Sequence, residues 1–142
     1  MIKKIDHVNI CVADLETVTD FFVNLIGFKI TAQGLLEGKW MDCVVALKDV
    51  KARYVQLSLD EGSSRLELIQ YENPKGEKDP KMSLANQIGF RHMAFEVENI
   101  DEVVEKLKKA GVKFHSEIQN YKTKRLCYFL GPEGIILEFA QY

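Results

Sequence analysis

The sequence predicts an α+β fold of two tandem βαβββ modules, which together form a curved, mostly antiparallel sheet. Three observations support this prediction. The last six residues, LEFAQY, match the stretch LELIQY at 66–71 in four of six positions. The two histidines His7 and His92 are followed by the helix-ending glycines Gly27 and Gly111 after 20 and 19 positions, respectively. Each histidine also lies in a strand-like alternation that leads directly into a helical pattern.

The first module covers residues 1–71. Asp14 is suited to cap a helix that follows the first strand, and Gly27 is suited to end it. Residues 34–50 have no clear pattern, although residues 43–47 are apolar enough to extend the preceding strand or to form another. The predicted strands are 5–12, 28–33, 52–59 and 66–71.

The second module covers residues 90–142 and repeats the plan of the first. It is preceded by a predicted linker, residues 72–89, which is polar, charged and holds two of the three prolines. Asn99 begins the helix, with Glu102 in capping-box spacing, and Gly111 ends it. We expect the modules to form a single domain, 1–142. The predicted strands of the second module are 90–97, 113–118, 125–130 and the segment after the turn 131–134.

Composition limits the classes of function. The chain has 142 residues, 46% of them hydrophobic and 28% charged, which is typical of a globular domain with a substantial core. A net charge of -2 gives no electrostatic reason to expect nucleic acid or a membrane surface as a partner. Neither a targeting signal nor a transmembrane run is found, so we expect a cytoplasmic protein. No disulfide framework or cysteine zinc site is indicated by the three dispersed cysteines, Cys11, Cys43 and Cys127.

Each module carries one histidine on its first strand and one glutamate on its last, opposite the apolar residues of those strands. Because helices cover the apolar faces, we expect His7, Glu67, His92 and Glu138 to point into the concave face, around a central metal cavity. Imidazole and carboxylate ligands suit one divalent ion such as Zn, Ni, Co, Mn or Fe(II). The alternative is a set of satisfied ion pairs without a metal.

Three motifs resemble the vicinal oxygen chelate superfamily: DHVNI at 6–10, RHMAF at 91–95, and GPEG at 131–134 leading to Leu137 and Glu138. This superfamily includes glyoxalase I (lactoylglutathione lyase), methylmalonyl-CoA epimerase, extradiol dioxygenases, fosfomycin-modifying enzymes and bleomycin-binding proteins. The resemblance covers almost the whole chain and implies the same four metal ligands. It also implies a small-molecule substrate with two vicinal oxygens and a homodimer, whose metal site is built within one chain or across two.

The ligand set narrows the range of reactions that the protein can be expected to catalyse. Four protein ligands on a six-coordinate ion leave two positions, whereas an oxygenase needs a third for dioxygen, so a dioxygenase is disfavoured. Proton transfer through a metal-bound enediolate or enolate fits better. By resemblance Glu138 is the catalytic base and Glu67 its symmetry mate. The set matches bacterial glyoxalase I, which is similar in using nickel or zinc. The alternatives are a methylmalonyl-CoA epimerase-like enzyme, which usually has glutamine in place of Glu67, and a small-molecule binding or resistance protein.

Three further residues are candidates for contact with the substrate. Asn9 shares a strand face with His7, Arg125 is suited to bind an anionic group, and Trp40 is suited to form a wall of the pocket.

Overall fold

The computed structural model describes all residues, 1–142, and divides into two compact units, Met1–Glu77 and Lys78–Tyr142. The boundary between the units lies within the predicted linker, 72–89. No helix has the length and apolar character needed to cross a membrane. The elements of the first unit are β1 (His7–Cys11), α1 (Leu15–Asp20, continuing as a π-helical segment Phe21–Ile26), β2 (Lys29–Glu37), α2 (Lys39–Val45), β3 (Lys51–Ser58) and β4 (Arg65–Asn73). The elements of the second are β5 (His92–Glu96), α3 (Ile100–Lys109), β6 (Lys113–Phe114), β7 (Gln119–Tyr121), β8 (Lys124–Leu130), a 3₁₀ turn (Pro132–Gly134) and β9 (Ile136–Gln141).

The first unit is a four-stranded sheet in the order β1-β4-β3-β2. β1 runs parallel to β4, so the first and last strands of the module lie side by side, and the other neighbours are antiparallel. Helix α1 lies against β3 and β4. The side chains of Val18, Phe22, Leu66 and Leu68 are almost fully buried, and their burial holds the helix on this face.

Helix α2 corrects one prediction. Residues 43–47 neither extend β2 nor form another strand, because residues 39–45 are helical and end at Ala46 in a left-handed conformation. A short apolar run fits a buried strand and a buried helix equally well, so only packing decides between them. Met41 of α2 packs with Val50, Ala52 and Ile69 in a small core on the opposite face of the sheet from α1.

The second unit is a sheet in the order β5-β9-β8-β6, with β7 paired to β8. β5 and β9 are parallel neighbours, which repeats the pairing of β1 and β4. Asn99 caps α3 as predicted, because its side chain accepts a hydrogen bond from the backbone N–H of Glu102. The predicted strand 113–118 is shorter than expected and covers only two residues, with β7 beginning after a bend.

The repeated hexapeptide has a structural explanation in both units. Gln70 and Gln141 point to the helix side of their strands, and each accepts a hydrogen bond from the first N–H of the adjacent helix, at Leu15 and Ile100, with distances of 2.9 and 2.8 Å. These are donors that a helix cannot satisfy internally. The repeat therefore preserves a core leucine, an oppositely directed glutamate and a glutamine that fixes the helix onto the sheet.

Candidate metal centre

The second unit brings His92 and Glu138 into contact. Strand register places Glu138 opposite Ala94, so the histidine lies two residues along the neighbouring parallel strand on the same face. Nε2 of His92 lies 3.1 Å from Oε2 of Glu138. Glu138 is only 3% exposed, which makes it the only buried carboxylate of the chain. A charge in that position requires close polar partners.

Lys124 supplies the cation that the buried carboxylate needs. Its ammonium lies 2.6 Å from Oε1 of Glu138, while Oε2 faces His92. The hydrogen-bonded ion pair with Glu138 raises the pKa of Lys124 above its ordinary value. The same ammonium lies 5.7 Å from the centre of the Tyr142 ring. The two oxygens of Glu138 thus have different environments, one cationic and one facing an imidazole.

Tyr128 supports His92 from β8, which lies on the other side of β9 from the strand of His92. It lies directly opposite Glu138, its ring centre is 4.7 Å from that of His92, and its hydroxyl is 3.5 Å from His92 Nε2. Burial and the nearby charge of Glu138 raise the pKa of Tyr128. His115 packs edge-on against the Tyr128 ring, with the ring centres 6.2 Å apart. Sequence reasoning missed Tyr128, although alternation along β8 places Lys124, Leu126 and Tyr128 on one face.

In the first unit the equivalent residues are His7 and Glu67, and each contacts a different polar side chain. Asn9 lies directly opposite Glu67, and its side-chain amide donates to Oε1 of Glu67 at 2.9 Å. Nδ1 of His7 lies 2.9 Å from Oδ2 of Asp6, and Arg65 donates to the same oxygen at 2.6 Å. Hydrogen bonds from His7 and Arg65 hold the pKa of Asp6 below its usual range. Both predicted ligands of this unit therefore have a polar neighbour that fixes their orientation.

The donor atoms fit a divalent ion. With metal–nitrogen and metal–oxygen bonds of about 2.0–2.2 Å, two ligands at right angles on one ion lie about 3 Å apart. The observed His92–Glu138 separation of 3.1 Å agrees with this value. Nitrogen and carboxylate oxygen donors without a thiolate also suit Zn, Ni, Co, Mn or Fe(II). The structure does not gather three or more His, Cys, Asp or Glu side chains into one such group, so the four-residue ligand set stays a prediction.

The three predicted substrate-contact residues occupy different places. Asn9 lies beside Glu67, on the same face. Arg125 is on the opposite, helix-covered face of its sheet, where its guanidinium makes two hydrogen bonds to Asp101 at 2.7 and 2.9 Å. This placement argues against the predicted contact of Arg125 with the substrate, because a one-residue step along a strand reverses the face to which a side chain points. Trp40 lies in the first turn of α2 and is 58% exposed.

The family model described as "Glyoxalase/Bleomycin resistance protein/Dioxygenase superfamily" matches residues 4–139. A solved glyoxalase family protein from Bacillus cereus is 31% identical, with a TM-score of 0.90 over 99% of this chain and 95% of that one. Lactoylglutathione lyase of Schizosaccharomyces pombe is 24% identical over 96% of this chain, which spans 47% of that enzyme. Human mitochondrial methylmalonyl-CoA epimerase is 26% identical over 97% of this chain and 73% of its own length.

Proposed function

The chain belongs to the glyoxalase/bleomycin resistance protein/dioxygenase superfamily, and from this premise we propose that it is a divalent-metal-dependent isomerase or lyase of glyoxalase I type. The proposed reaction transfers a proton at the carbon next to a carbonyl of a small substrate with two vicinal oxygens. The single observation that carries the proposal is the contact between His92 and Glu138, whose separation suits two ligands of one ion.

The proposed ligands are His7, Glu67, His92 and Glu138, one imidazole and one carboxylate from each unit. When bound, the ion would supply Lewis acidity, which polarises a substrate carbonyl and makes the adjacent C–H bond more acidic. Two carboxylates match the charge of a divalent ion, and two neutral imidazoles complete the donor set. Support comes from the chemistry of these donors and from the similarity to lactoylglutathione lyase.

Glu138 is the proposed base. In the forward direction its carboxylate takes the proton from the substrate carbon, and in the second half of the reaction it returns a proton to the neighbouring carbon. Lys124 holds Oε1, so Oε2 is the oxygen that would serve as a ligand and, when not bound to the ion, would exchange the proton. Glu67 is the symmetry-related carboxylate, and the amide of Asn9 fixes one of its oxygens.

Two measurements test the proposal in order. Metal analysis of the full chain, purified without chelator, should find about one equivalent of divalent ion per predicted site. The metal-loaded protein should then convert the hemithioacetal of methylglyoxal and a thiol such as glutathione. Less than about half an equivalent of metal after loading with Zn²⁺ or Ni²⁺ would overturn the proposal. A metal-loaded protein without turnover of any thiol adduct would instead favour a binding protein of this family.

A second candidate is an epimerase acting on a 2-acyl thioester. It is favoured by the 25-residue interval between Glu67 and His92, which resembles the longer connection of the epimerase, and by the match to 73% of the human enzyme. Exchange of solvent deuterium into a 2-methylmalonyl thioester would identify this activity. Exchange there, without turnover of a hemithioacetal, would replace glyoxalase chemistry with epimerase chemistry at the same site.

We further propose a homodimer in the cytoplasm, consistent with a family in which dimers are common. Sedimentation velocity at micromolar concentration distinguishes a dimer from a monomer, and a monomer that binds one full equivalent of metal would show that each chain builds its own site.

A further inference from the structure

The side chain of Asp6 contacts the first residue of β1. Its neighbour His7 begins β1, yet the Asp6 side chain turns back so that Oδ2 lies 2.9 Å from Nδ1 of His7. An ionised carboxylate can only accept hydrogen bonds, so Nδ1 must carry the hydrogen in this contact. In neutral imidazole the lone pair then resides on Nε2.

Arg65 holds Asp6 in this position through both backbone and side chain. Its backbone N–H donates to the carbonyl of Asp6 at 3.2 Å, and its guanidinium donates to Oδ2 at 2.6 Å. The other terminal nitrogen of Arg65 donates to Oε1 of Gln56 on β3 at 3.3 Å. A continuous series of contacts therefore runs from β3 through β4 to His7, so the imidazole orientation depends on the sheet and not on one flexible side chain.

We propose that Asp6 is a positioning residue that fixes His7 in the Nδ1–H tautomer and so presents Nε2 to the divalent ion. The role of Nε2 as a ligand rests on the proposed function, but the tautomer is a property of the metal-free protein. Histidine ligands generally donate their other N–H to a carboxylate or carbonyl, which orients the ring and increases ligand basicity.

This contact between a histidine and the preceding carboxylate is specific to the first unit. The residue that precedes His92 is Arg91, whose guanidinium lies near the carbonyls of Met82 and Leu84 and supplies no carboxylate. His92 is instead oriented by Tyr128 and Glu138. The two imidazoles thus have different supports, and loss of Asp6 should affect His7 alone.

The test uses the full chain labelled with ¹⁵N-histidine. Long-range ¹H–¹⁵N spectra at pH 8 report the tautomer of each ring, and replacing His92 and His115 in turn assigns the three signals. The wild-type His7 should show the Nδ1–H tautomer, and Asp6→Ala should convert it mainly to Nε2–H. Asp6→Asn, which keeps an acceptor oxygen, should retain more of the Nδ1–H form. A wild-type Nε2–H tautomer, or no change in Asp6→Ala, would overturn the inference.

Zn²⁺ affinity gives an independent readout. In competition with a chromophoric chelator, Asp6→Ala should bind Zn²⁺ about 10–100-fold more weakly than the wild type. Glu61→Ala, which removes an exposed carboxylate from a turn of the same unit, is the matched control and should leave both tautomer and affinity unchanged. If the wild type binds no Zn²⁺, the proposed function fails while the tautomer still decides the role of Asp6. Equal affinity in wild type and Asp6→Ala would show that Asp6 does not act on the ion.

Discussion

The ammonium of Lys124 lies 2.6 Å from Oε1 of Glu138, a carboxylate that is only 3% exposed. Glu138 lies in the middle of an otherwise buried apolar strand, where an unpaired charge would be strongly unfavourable. Lys124 neutralises one oxygen of Glu138 and His92 faces the other. These contacts reduce the energetic cost of burying the carboxylate, and one oxygen stays directed at the proposed site.

Lys124→Met should destabilise the metal-free protein, because Glu138 loses its cationic partner while remaining buried. Saturating Zn²⁺ should reverse at least half of the decrease in melting temperature, since the ion then neutralises the charge of Glu138. Thermal unfolding with and without Zn²⁺ measures both effects. Lys109→Met, which removes an exposed ion pair with Glu105, is the control and should have a much smaller effect. A loss of stability that Zn²⁺ does not reduce would argue against an ion at Glu138.

Glu138→Gln should reduce turnover by about 10²–10⁴-fold, the contribution typical of a general acid–base group. Glu67→Gln should have a smaller effect, on the order of tenfold to a hundredfold, because the amide oxygen can still bind a metal. Initial rates with the metal-loaded proteins, at matched metal content, measure the difference. The opposite order of effects would assign the base to Glu67.

Arg125→Met should leave the KM of the substrate unchanged, because the guanidinium pairs with Asp101 on the helix-covered face of the sheet. The corresponding arginine of the first unit, Arg53, pairs with Glu16 in the first turn of α1, so the two units share this contact. Steady-state kinetics provide the check. A tenfold increase in KM would restore Arg125 as a substrate-binding residue.

Gln70→Ala and Gln141→Ala should each lower the free energy of unfolding by about 1 kcal/mol, because each removes the acceptor for the first N–H of a helix. Chemical denaturation measures the loss. Gln119→Ala, at an exposed position of β7, should change stability by less than about 0.5 kcal/mol. An effect in only one of the two glutamine variants would show that the two copies of the repeat do not contribute equally to stability.

Cys127 should resist alkylation in the folded protein. It is 2% exposed, and burial raises the pKa of its thiol from 9.0 to about 11, which lowers the thiolate fraction at pH 8 by about 100-fold. Cys11 and Cys43 are exposed and should react first. The thiol of Cys127 ionises near pH 9 in the unfolded chain but only near pH 11 in the fold. Its contribution to stability is therefore fully present below pH 9 and is lost as the pH rises to about 11. Mass spectrometry after timed iodoacetamide treatment measures the order, and early labelling of Cys127 would contradict its burial.

Local sequence determined the regular parts of the fold. Alternating residues predicted β1, β5 and the strands carrying Glu67 and Glu138, because successive side chains of a strand point to opposite faces of the sheet. Asn99 marked the start of α3 through a cap that involves only its own neighbourhood. The repeated hexapeptide identified Glu67 and Glu138 as equivalent residues, whereas the adjacency of the strands carrying His92 and Glu138 is a finding of the structure.

Tertiary structure decided the features that depend on distant partners. The helical state of residues 39–45 follows from the packing of Met41 against Ala52 and Ile69, which no local pattern specifies. The face of Arg125 follows from the register of β8 with β9. The pairing of Lys124 with Glu138 also depends on the tertiary structure, because cross-strand contacts are set by sheet topology and strand register. Sequence alone therefore supplied the chemical groups, whereas the fold selected which of these groups share a face and which of them meet.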